Sequence, residues 1–432
     1  MENVILTLNI LQILCTERIH YWLTGDHTNY IRSTLRKIKD TNILSTKIYQ
    51  AIATKQHVLQ LSPEYIDEIQ TYTNYADYDD SEINEEALQR VATTYDIEID
   101  RIPIHSGMIA LAFAGRKRQD NQKVIIKLKR KGIRSKLVTA CNHIKFLFGI
   151  CSQVYPDNIY IQIVQPFVMN IDDIIEQCDF EQEIKNLAVA KRENRALPHI
   201  IIPECYNNAG DCRDPEFILM EYLEGANIYD RALTTEEAYT YFKLYTEFIF
   251  YAHMHQCMFH TDLHSGNLLL MNGAIGIIDF GMVLYPSPKT VETSQNILVL
   301  MSSYMNTREE EKHTFFDEHR SSMIDEFKYL FEPPLDELQL TDAQYDRVNT
   351  IILDIMVPLI VRNELDELDI TAHLTQLSSV CQSPLHFNMD VYKILLGCVM
   401  TEGVAKSILN DEYENPKRMQ IIKEIFKTHF AS

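Results

Sequence analysis

Three side chains between positions 262 and 279 have the types and spacing needed to work on metal-bound phosphate. The chain reads His260-Thr261-Asp262-Leu263-His264-Ser265-Gly266-Asn267, and Ile278-Asp279-Phe280-Gly281-Met282 follows, with eleven residues between Asn267 and Asp279. A γ-phosphate carries charge that magnesium must neutralise, and magnesium takes oxygen ligands such as the Asp279 carboxylate and the Asn267 amide. Asp262, five residues before Asn267 on the same loop, is then available to accept a proton from an attacking hydroxyl or to orient a water. Gly266 and Gly281 let the backbone turn sharply beside the metal. A second chemistry competes for this stretch, because His253, His255, Cys257, His260 and His264 are close enough in sequence to be read as a zinc site. No second Cys/His cluster completes it.

The elements that must position these groups can be read outward from the loop. Leu268 to Met271, the Asn272-Gly273 turn and Ile275 to Ile278 predict a β-hairpin carrying the loop on one side and Asp279 on the other. Upstream, Thr234 to Glu237 has the capping-box pattern of a helix start. Ala238, Tyr241, Phe242, Tyr245, Phe248, Ile249 and Ala252 then recur at helical spacing, a stripe that belongs to the core. Phe217 to Gly225 predicts a buried strand running into a linker between lobes, where the backbone of Glu221 to Leu223 can meet an adenine edge. Val124-Ile125-Ile126-Lys127 predicts a short strand that ends in a lysine able to reach the α- and β-phosphates. The ion-pair partner of Lys127 is expected on a long polar helix over Asp173 to Arg195, where Glu176, Glu181, Glu183 and Glu193 all compete.

Composition narrows the class. The 432 residues carry 40 basic and 61 acidic side chains, a net charge of −21, which argues against nucleic acid as a partner. Basic residues nevertheless cluster at Arg116 to Arg118 and at Lys127 to Lys136, where they can meet phosphate or an anionic lipid surface. Nine cysteines without a C-x-x-C pattern point to free thiols in a reducing compartment. Val4 to Cys15 is too short and too broken to span a bilayer and lacks the flanks of a signal or transit peptide, so an amphipathic helix is expected there. No other apolar run has spanning length, and the expected location is cytoplasmic or peripheral to a membrane. An acidic linker is expected at Asp77 to Glu86.

With these landmarks in order, the chain resembles the UbiB, or aarF-domain, family of atypical kinases from about residue 43 to about residue 415. Lys47-Ile48-Tyr49-Gln50, then Thr54 and Lys55, and then Leu61-Ser62-Pro63-Glu64-Tyr65 resemble the family's K-x-G-Q helix and L-P-P-E-Y segment. Leu395-Leu396 through Thr401-Glu402-Gly403-Val404-Ala405 resembles its C-terminal L-x-x-L-E-G-V-A helix. The resemblance implies that Lys127 contacts phosphates and that Glu183 is its partner, because Asp179-Phe180 and Asn186 fall in the family's E-L-D-F-x-x-E-A-x-N frame. It also implies that Lys47 and Gln50 belong to a helical cover over the nucleotide site that restrains protein phosphorylation and favours nucleotide binding and slow ATP hydrolysis, linked to lipid and isoprenoid-quinone metabolism.

Two positions depart from the family pattern. Tyr49 stands where the family has glycine, which puts a bulky ring at a close approach of backbones. The family's alanine-rich loop corresponds to His105-Ser106-Gly107-Met108, and Gly107 predicts a looser grip that favours ATP. After Asp279-Phe280-Gly281 there is neither an Ala-Pro-Glu signal nor an activation segment before a helix beginning near Thr290, so no platform for a peptide substrate is expected.

The expected architecture is α+β, a two-lobed protein-kinase-like fold. Residues 1–98 form a helical extension with the cover motif, 99–220 a smaller lobe with an inserted helix around Lys136 to Phe148, and 221–432 a mostly helical larger lobe ending in helices Asp390 to Ile408 and Pro416 to Thr428. The expected activity is that of an atypical kinase or ATPase using ATP and Mg2+. Asp262, Lys127 and Glu183 do the phosphoryl chemistry, Ser106, Gly107, Glu221 and Leu223 meet the nucleotide, and Asn267 and Asp279 hold the metal. A small-molecule phosphotransferase of the aminoglycoside or choline kinase kind shares the H-x-D-x-x-x-x-N loop, and Lys47-Ile48-Tyr49-Gln50 speaks against it. A non-catalytic nucleotide-binding scaffold is the third class, and it has no chemical need for Lys127, Asp262, Asn267 and Asp279 together.

Overall fold

The structure, a computed structural model, describes residues 2–53, 62, 64–65, 68, 78–155, 164–165, 168, 171–207, 215–252, 255, 258–362, 370–413 and 415–430. The chain divides into two compact units, one of residues 1–185 and 204–222 and one of residues 186–203 and 223–432. In chain order the strands that position the candidate site are β1 (Ile97–Ile99), β2 (His105–Ser106), β3 (Ala110–Lys117), β4 (Lys123–Lys129), β5 (Ile200–Ile201), β6 (Phe217–Glu221), β7 (Phe259–His260), β8 (Leu268–Met271), β9 (Ala274–Ile277) and β10 (Val283–Leu284).

The first unit is built on an antiparallel sheet in the order β1-β3-β4-β6, with β2 added against β3. Alternation in β4 sends Val124, Ile126 and Leu128 to a fully buried face and leaves Lys123, Ile125, Lys127 and Lys129 on the other. Under the buried face lie Leu111, Phe113 and Leu219 together with Ala87, Val91 and Ile97, so residues from before position 99 complete the core of this sheet. Gly115 in β3 is needed there, because a Cβ at that position would stand 2.8 Å from the Ile97 side chain.

Helices precede the sheet. They are α1 (Glu2–Thr24), α2 (His27–Lys39), capped by the Asp26 carboxylate, and α3 (Ser45–Ala53). The helix expected at Val4 to Cys15 is longer than expected, and most of its apolar residues turn outward. Leu6 and Glu17 face inward while Val4, Leu8, Leu11 and Trp22 face outward. The buried Glu17 ion-pairs with Lys37 of α2, and that pair fixes which side of α1 turns in. Tyr49 does not obstruct the packing. Its ring is buried against Ile31 and Leu35 of α2, and its hydroxyl donates to the Leu35 carbonyl at 2.9 Å.

The acidic linker expected at Asp77 to Glu86 is ordered over its described residues. Asp79 caps a short turn over Asp80–Glu82, Asn84 caps α4 (Glu85–Thr94), and Glu82 pairs with Arg130 and Lys136. The inserted helix α5 (Ile133–Val154) is longer than expected at both ends. The polar helix expected over Asp173 to Arg195 is broken. A single turn at Asp173–Glu176 is followed by α6 (Phe180–Glu193), whose start is set by Asp179, which accepts from the Gln182 N–H at 3.0 Å.

The second unit is mostly helical. Helix α7 (Thr235–Tyr251) begins at the expected capping box, with Thr234 and Glu237 exchanging backbone hydrogen bonds, and it buries the Ala238, Tyr241, Phe242, Tyr245 and Phe248 stripe. Strands β8 and β9 form the expected hairpin with Leu268 opposite Ile277 and Gly273 in the left-handed region at φ +71°, while β5 joins β9 in parallel. Helix α8 (Pro288–Asn306), capped by Ser287, begins four residues after β10 ends. The last helix that bears on the site is α9 (Met389–Leu409), and α10 (Pro416–Phe430) follows it and packs on α7 and α8.

Candidate functional site

The site residues of the second unit are held by backbone and one imidazole. Strands β7 and β10 pair antiparallel, with His260 opposite Val283, and the Thr261 N–H donates to the Met282 carbonyl, so the loop before Asp262 and the chain after Asp279 are stitched together. His260 is half-buried in the chain, and its ring lies between the two acidic residues' backbones. Nε2 donates to the Asp279 carbonyl, and Nδ1 accepts from the Asp262 N–H at 3.3 Å. That pattern requires the neutral imidazole with its proton on Nε2. Burial lowers the His260 pKa below its ordinary 6.5, which agrees with the neutral form.

Asn267 is buried at the end of the loop, and its Nδ2 donates to the Asp262 carbonyl at 2.9 Å. That bond turns the amide oxygen away from the loop backbone. The Asp279 Oδ1 accepts from the Gly281 N–H at 2.8 Å, which fixes the carboxylate's rotation. A carboxylate and an amide oxygen held in this way match the hard, oxygen-only preference of magnesium. Among the described residues no group of three or more His, Cys, Asp and Glu side chains is placed to hold a metal, and His253 and Cys257 of the zinc alternative lie outside the described residues. Magnesium in such sites is completed by phosphate and water, so a two-ligand protein contribution fits it and does not fit zinc.

Asn186, named from sequence only as a position of the family frame, and Tyr285 and Gly397, which sequence did not single out, lock this region. The Asn186 Nδ2 donates to the Phe280 carbonyl at 2.9 Å, and its Oδ1 accepts from the Tyr285 hydroxyl at 3.0 Å. Asn186 thereby holds the backbone next to Asp279. In α9, a Cβ on Gly397 would stand 3.4 Å from the His260 carbonyl, so this glycine lets the helix pack close to the start of the 260–267 loop. Farther along α9, Glu402 pairs with Lys406 and accepts from the Tyr413 hydroxyl. The side chains of Leu395 and Leu396 lie outside the described residues.

In the first unit, the structure brings Lys127 and Glu183 together. The Lys127 Nζ donates to the Glu183 Oε1 at 2.6 Å, with Glu183 1% and Lys127 17% exposed. The competing glutamates are elsewhere: Glu181 pairs with Lys185, Glu193 pairs with Arg192, and Glu176 lies in the separate turn before α6. Ser106 is buried, and its hydroxyl accepts from the Arg130 guanidinium at 2.7 Å, while the Gly107 N–H donates to the Ala110 carbonyl at 2.9 Å. Arg130 also reaches Glu82, so a buried guanidinium anchors the 105–110 turn to the segment before α4. The basic run Lys127 to Lys136 is therefore partly internal, with Lys127, Arg130 and Lys136 in ion pairs.

The Glu221 N–H donates to the Glu204 carbonyl at the end of β6, and Leu223 is buried. Lys47 lies half-buried on α3; the Gln50 side chain, Thr54, Lys55, Leu61 and Pro63 lie outside the described residues.

The fold is a mixture of helix and sheet around a loop with the order of groups used by kinases, and comparison with known proteins identifies the family. A family model described as the ABC1 atypical kinase-like domain matches residues 70–332, and the chain belongs to that family, as the aarF resemblance implied. An uncharacterised aarF domain-containing protein kinase of Arabidopsis thaliana, described as chloroplastic, is 28% identical over 275 residues, 60% of this chain and 49% of that protein. A probable protein kinase UbiB of Tolumonas auensis is 22% identical over 192 residues, 43% of this chain and 34% of that protein. The chain spans about half the length, or less, of the curated relatives it matches. Among solved structures, a Mycobacterium tuberculosis protein in complex with erythromycin is similar in fold, with a TM-score of 0.50, 16% identity, and coverage of 88% of this chain and 90% of that one.

Proposed function

We propose that the chain binds Mg-ATP and transfers or hydrolyses its γ-phosphate, as an atypical two-lobed kinase or ATPase. The observation that carries this reading is the His260 imidazole tying Asp262 and Asp279 by their backbones while Asn267 is held to the Asp262 carbonyl. The three residues tied together in this way carry oxygen-bearing side chains of the types phosphoryl transfer needs.

In this reading Asp262 accepts the proton of an attacking hydroxyl or orients a water. Asn267 and Asp279 are the magnesium ligands, and bound magnesium supplies charge neutralisation at the β- and γ-phosphates. Lys127, oriented by buried Glu183, contacts the α- and β-phosphates. The turn at Ser106 and Gly107 lies over the phosphates, and the backbone of Glu221 and Leu223 meets the adenine edge. Lys47 and Gln50 belong to a cover that restrains access of protein substrates. The short connection from β10 to α8 supports an acceptor other than a docked peptide. A role in lipid or isoprenoid-quinone metabolism follows from the family resemblance.

The test is γ-phosphate release from Mg-ATP by the wild type and by Asp262→Asn. Turnover that falls about 10²–10⁴-fold in the variant, with nucleotide binding retained, supports the assignment. Equal turnover removes Asp262 from the chemistry, and saturable binding without turnover in either protein leaves a nucleotide-binding scaffold.

A further inference from the structure

The short turn that carries the Asn267 amide is held from outside itself. Ser265–Asn267 is a single 3-10 turn, closed by the Leu268 N–H donating to the Ser265 carbonyl and by the His264 ring accepting from the Gly266 N–H at 3.0 Å. A turn this brief does not fix its own place in the molecule. A second donor reaches the Ser265 carbonyl from elsewhere in the chain, the Asn227 Nδ2 at 2.9 Å. The bond from Asn267 to the Asp262 carbonyl sets how the Asn267 amide is rotated, and the bond from Asn227 sets where the turn that bears it sits.

Asn227 is itself held in one orientation. Its Oδ1 accepts from the Tyr229 N–H at 3.1 Å, its backbone N–H donates to the Asp230 carboxylate at 2.8 Å, and its carbonyl accepts from the Asp230 N–H at 3.0 Å. With the amide oxygen committed to this local turn, the amide nitrogen is the end that faces Ser265. The segment is docked on the hairpin by other means, since Ala226 and Leu270 exchange backbone hydrogen bonds at 3.0 and 2.8 Å. The Asn227 side chain therefore adds to a docking that backbone already provides. A neighbouring tie is looser. The Tyr229 hydroxyl lies 3.3 Å from the Ser265 Oγ and 3.2 Å from the Ser407 Oγ of α9, but Tyr229 is 61% exposed and water competes for its hydroxyl. A neutral donor suits position 227, because a carboxylate there would meet the Ser265 carbonyl acceptor against acceptor.

We infer that Asn227 is a positioning residue for the magnesium ligand Asn267, acting through the Ser265 carbonyl. The inference rests on the Mg-ATP reading above and deepens it. Its test is Asn227→Asp in the full chain, a change of the same shape that keeps an acceptor for the Tyr229 N–H and replaces the donor to Ser265 with a second acceptor. Manganese is the probe: electron paramagnetic resonance of free Mn2+ reads its uptake by protein saturated with a non-hydrolysable ATP analogue, and calorimetry in EDTA reads binding of that analogue without metal. The variant is expected to bind Mn2+ about 10–100-fold more weakly, the usual cost of disturbing a group behind a metal ligand, while metal-free nucleotide affinity and cooperative thermal unfolding are kept. Tyr229→Phe is expected to lose less. Without nucleotide, hydrogen exchange of the 265–268 amides should be faster in Asn227→Asp than in the wild type. Equal Mn2+ affinity in the two proteins overturns the proposal. An equal loss of metal-free nucleotide affinity also overturns it, because Asn227 would then serve the nucleotide site as a whole. A larger loss in Tyr229→Phe moves the role to the hydroxyl bridge. A wild type that takes up no Mn2+ beside the analogue sinks the Mg-ATP reading and this proposal together, a result distinct from equal uptake by both proteins.

Discussion

The two nitrogens of His260 are both committed to holding the backbone of an acidic residue, which makes the protonation state of one ring a control on the loop. A neutral imidazole donates to the Asp279 carbonyl and accepts from the Asp262 N–H, and a second proton on Nδ1 would end the acceptance. Because burial lowers the folded pKa below 6.5, the unfolded chain binds the proton first. Stability from this group is therefore fully present above about pH 6.5 and is lost as the pH falls from there towards the folded pKa. Melting temperature measured across this window should fall on the acid side in the wild type more than in His260→Asn. Equal acid slopes would show that His260 is not the group responsible. Asp279→Asn keeps the shape of the side chain but removes the charge that magnesium needs, so magnesium-dependent nucleotide affinity should disappear, and an unchanged affinity would take Asp279 out of the ligand set. At Gly107 an added Cβ would come to 3.4 Å from the Ala110 carbonyl, an approach that a small shift accommodates. Gly107→Ala should therefore fold and, by stiffening the turn, shift nucleotide preference from ATP towards ADP. Calorimetric titration with the two nucleotides reads that ratio, and an unchanged ratio would make the turn irrelevant to selectivity.

Helix α6 shows at the scale of elements what the sequence could and could not disclose. Helical periodicity left four glutamates open as the partner of Lys127, because a surface helix of mixed polarity has no single marked face. The family frame pointed to Glu183, and Lys127 does contact it. The break at Cys178-Asp179 was missed because an aspartate before a helix is visible as a cap only once the start is known. The β8–β9 hairpin was legible since Asn272-Gly273 and the flanking apolar runs are local signals. The rotation of α1 was not legible, because it depends on Glu17 meeting Lys37 twenty residues away in the chain. The same holds for Ser106, whose hydroxyl is taken by Arg130. Removing either end of the Lys127–Glu183 pair is expected to matter for the fold as well as for phosphate contact. Lys127→Ala leaves a buried carboxylate without its ammonium, at a cost of about 3–5 kcal/mol in urea unfolding. A loss below about 1 kcal/mol would mean that Glu183 is satisfied by other groups. Asn186 on the same helix holds the Phe280 carbonyl, so Asn186→Ala should raise the magnesium concentration needed for turnover, and Tyr285→Phe should do so less, since it removes one bond of the two.

At the scale of the molecule, the core of the first unit decides which truncations are informative. A cut at residue 98 looks natural from sequence, with helices before it and a sheet after. Ala87, Val91 and Ile97 are nonetheless fully buried under Leu111, Phe113 and Leu219. Glu82 binds Arg130 and Lys136, and its carbonyl accepts from the Lys131 N–H at 2.7 Å. Two of the apolar side chains, Val91 and Ile97, contribute about 1.5–3 kcal/mol each on burial, and leaving Arg130 buried without Glu82 adds a further penalty, in a unit whose total stability is of the order of 5–15 kcal/mol. A chain starting at residue 99 is therefore expected to lose cooperative unfolding, whereas one starting at residue 78 keeps the whole of this core. Thermal denaturation of the two truncations distinguishes them, and cooperative melting of the shorter one would show that α4 and β1 are dispensable. The longer truncation is then the proper test of the cover proposed for Lys47 and Gln50. It removes both residues while sparing the sheet, so ATP turnover and phosphorylation of a general protein substrate should rise relative to the full chain. If both stay at the full-chain level in a protein that melts cooperatively, residues 1–77 do not restrain the site.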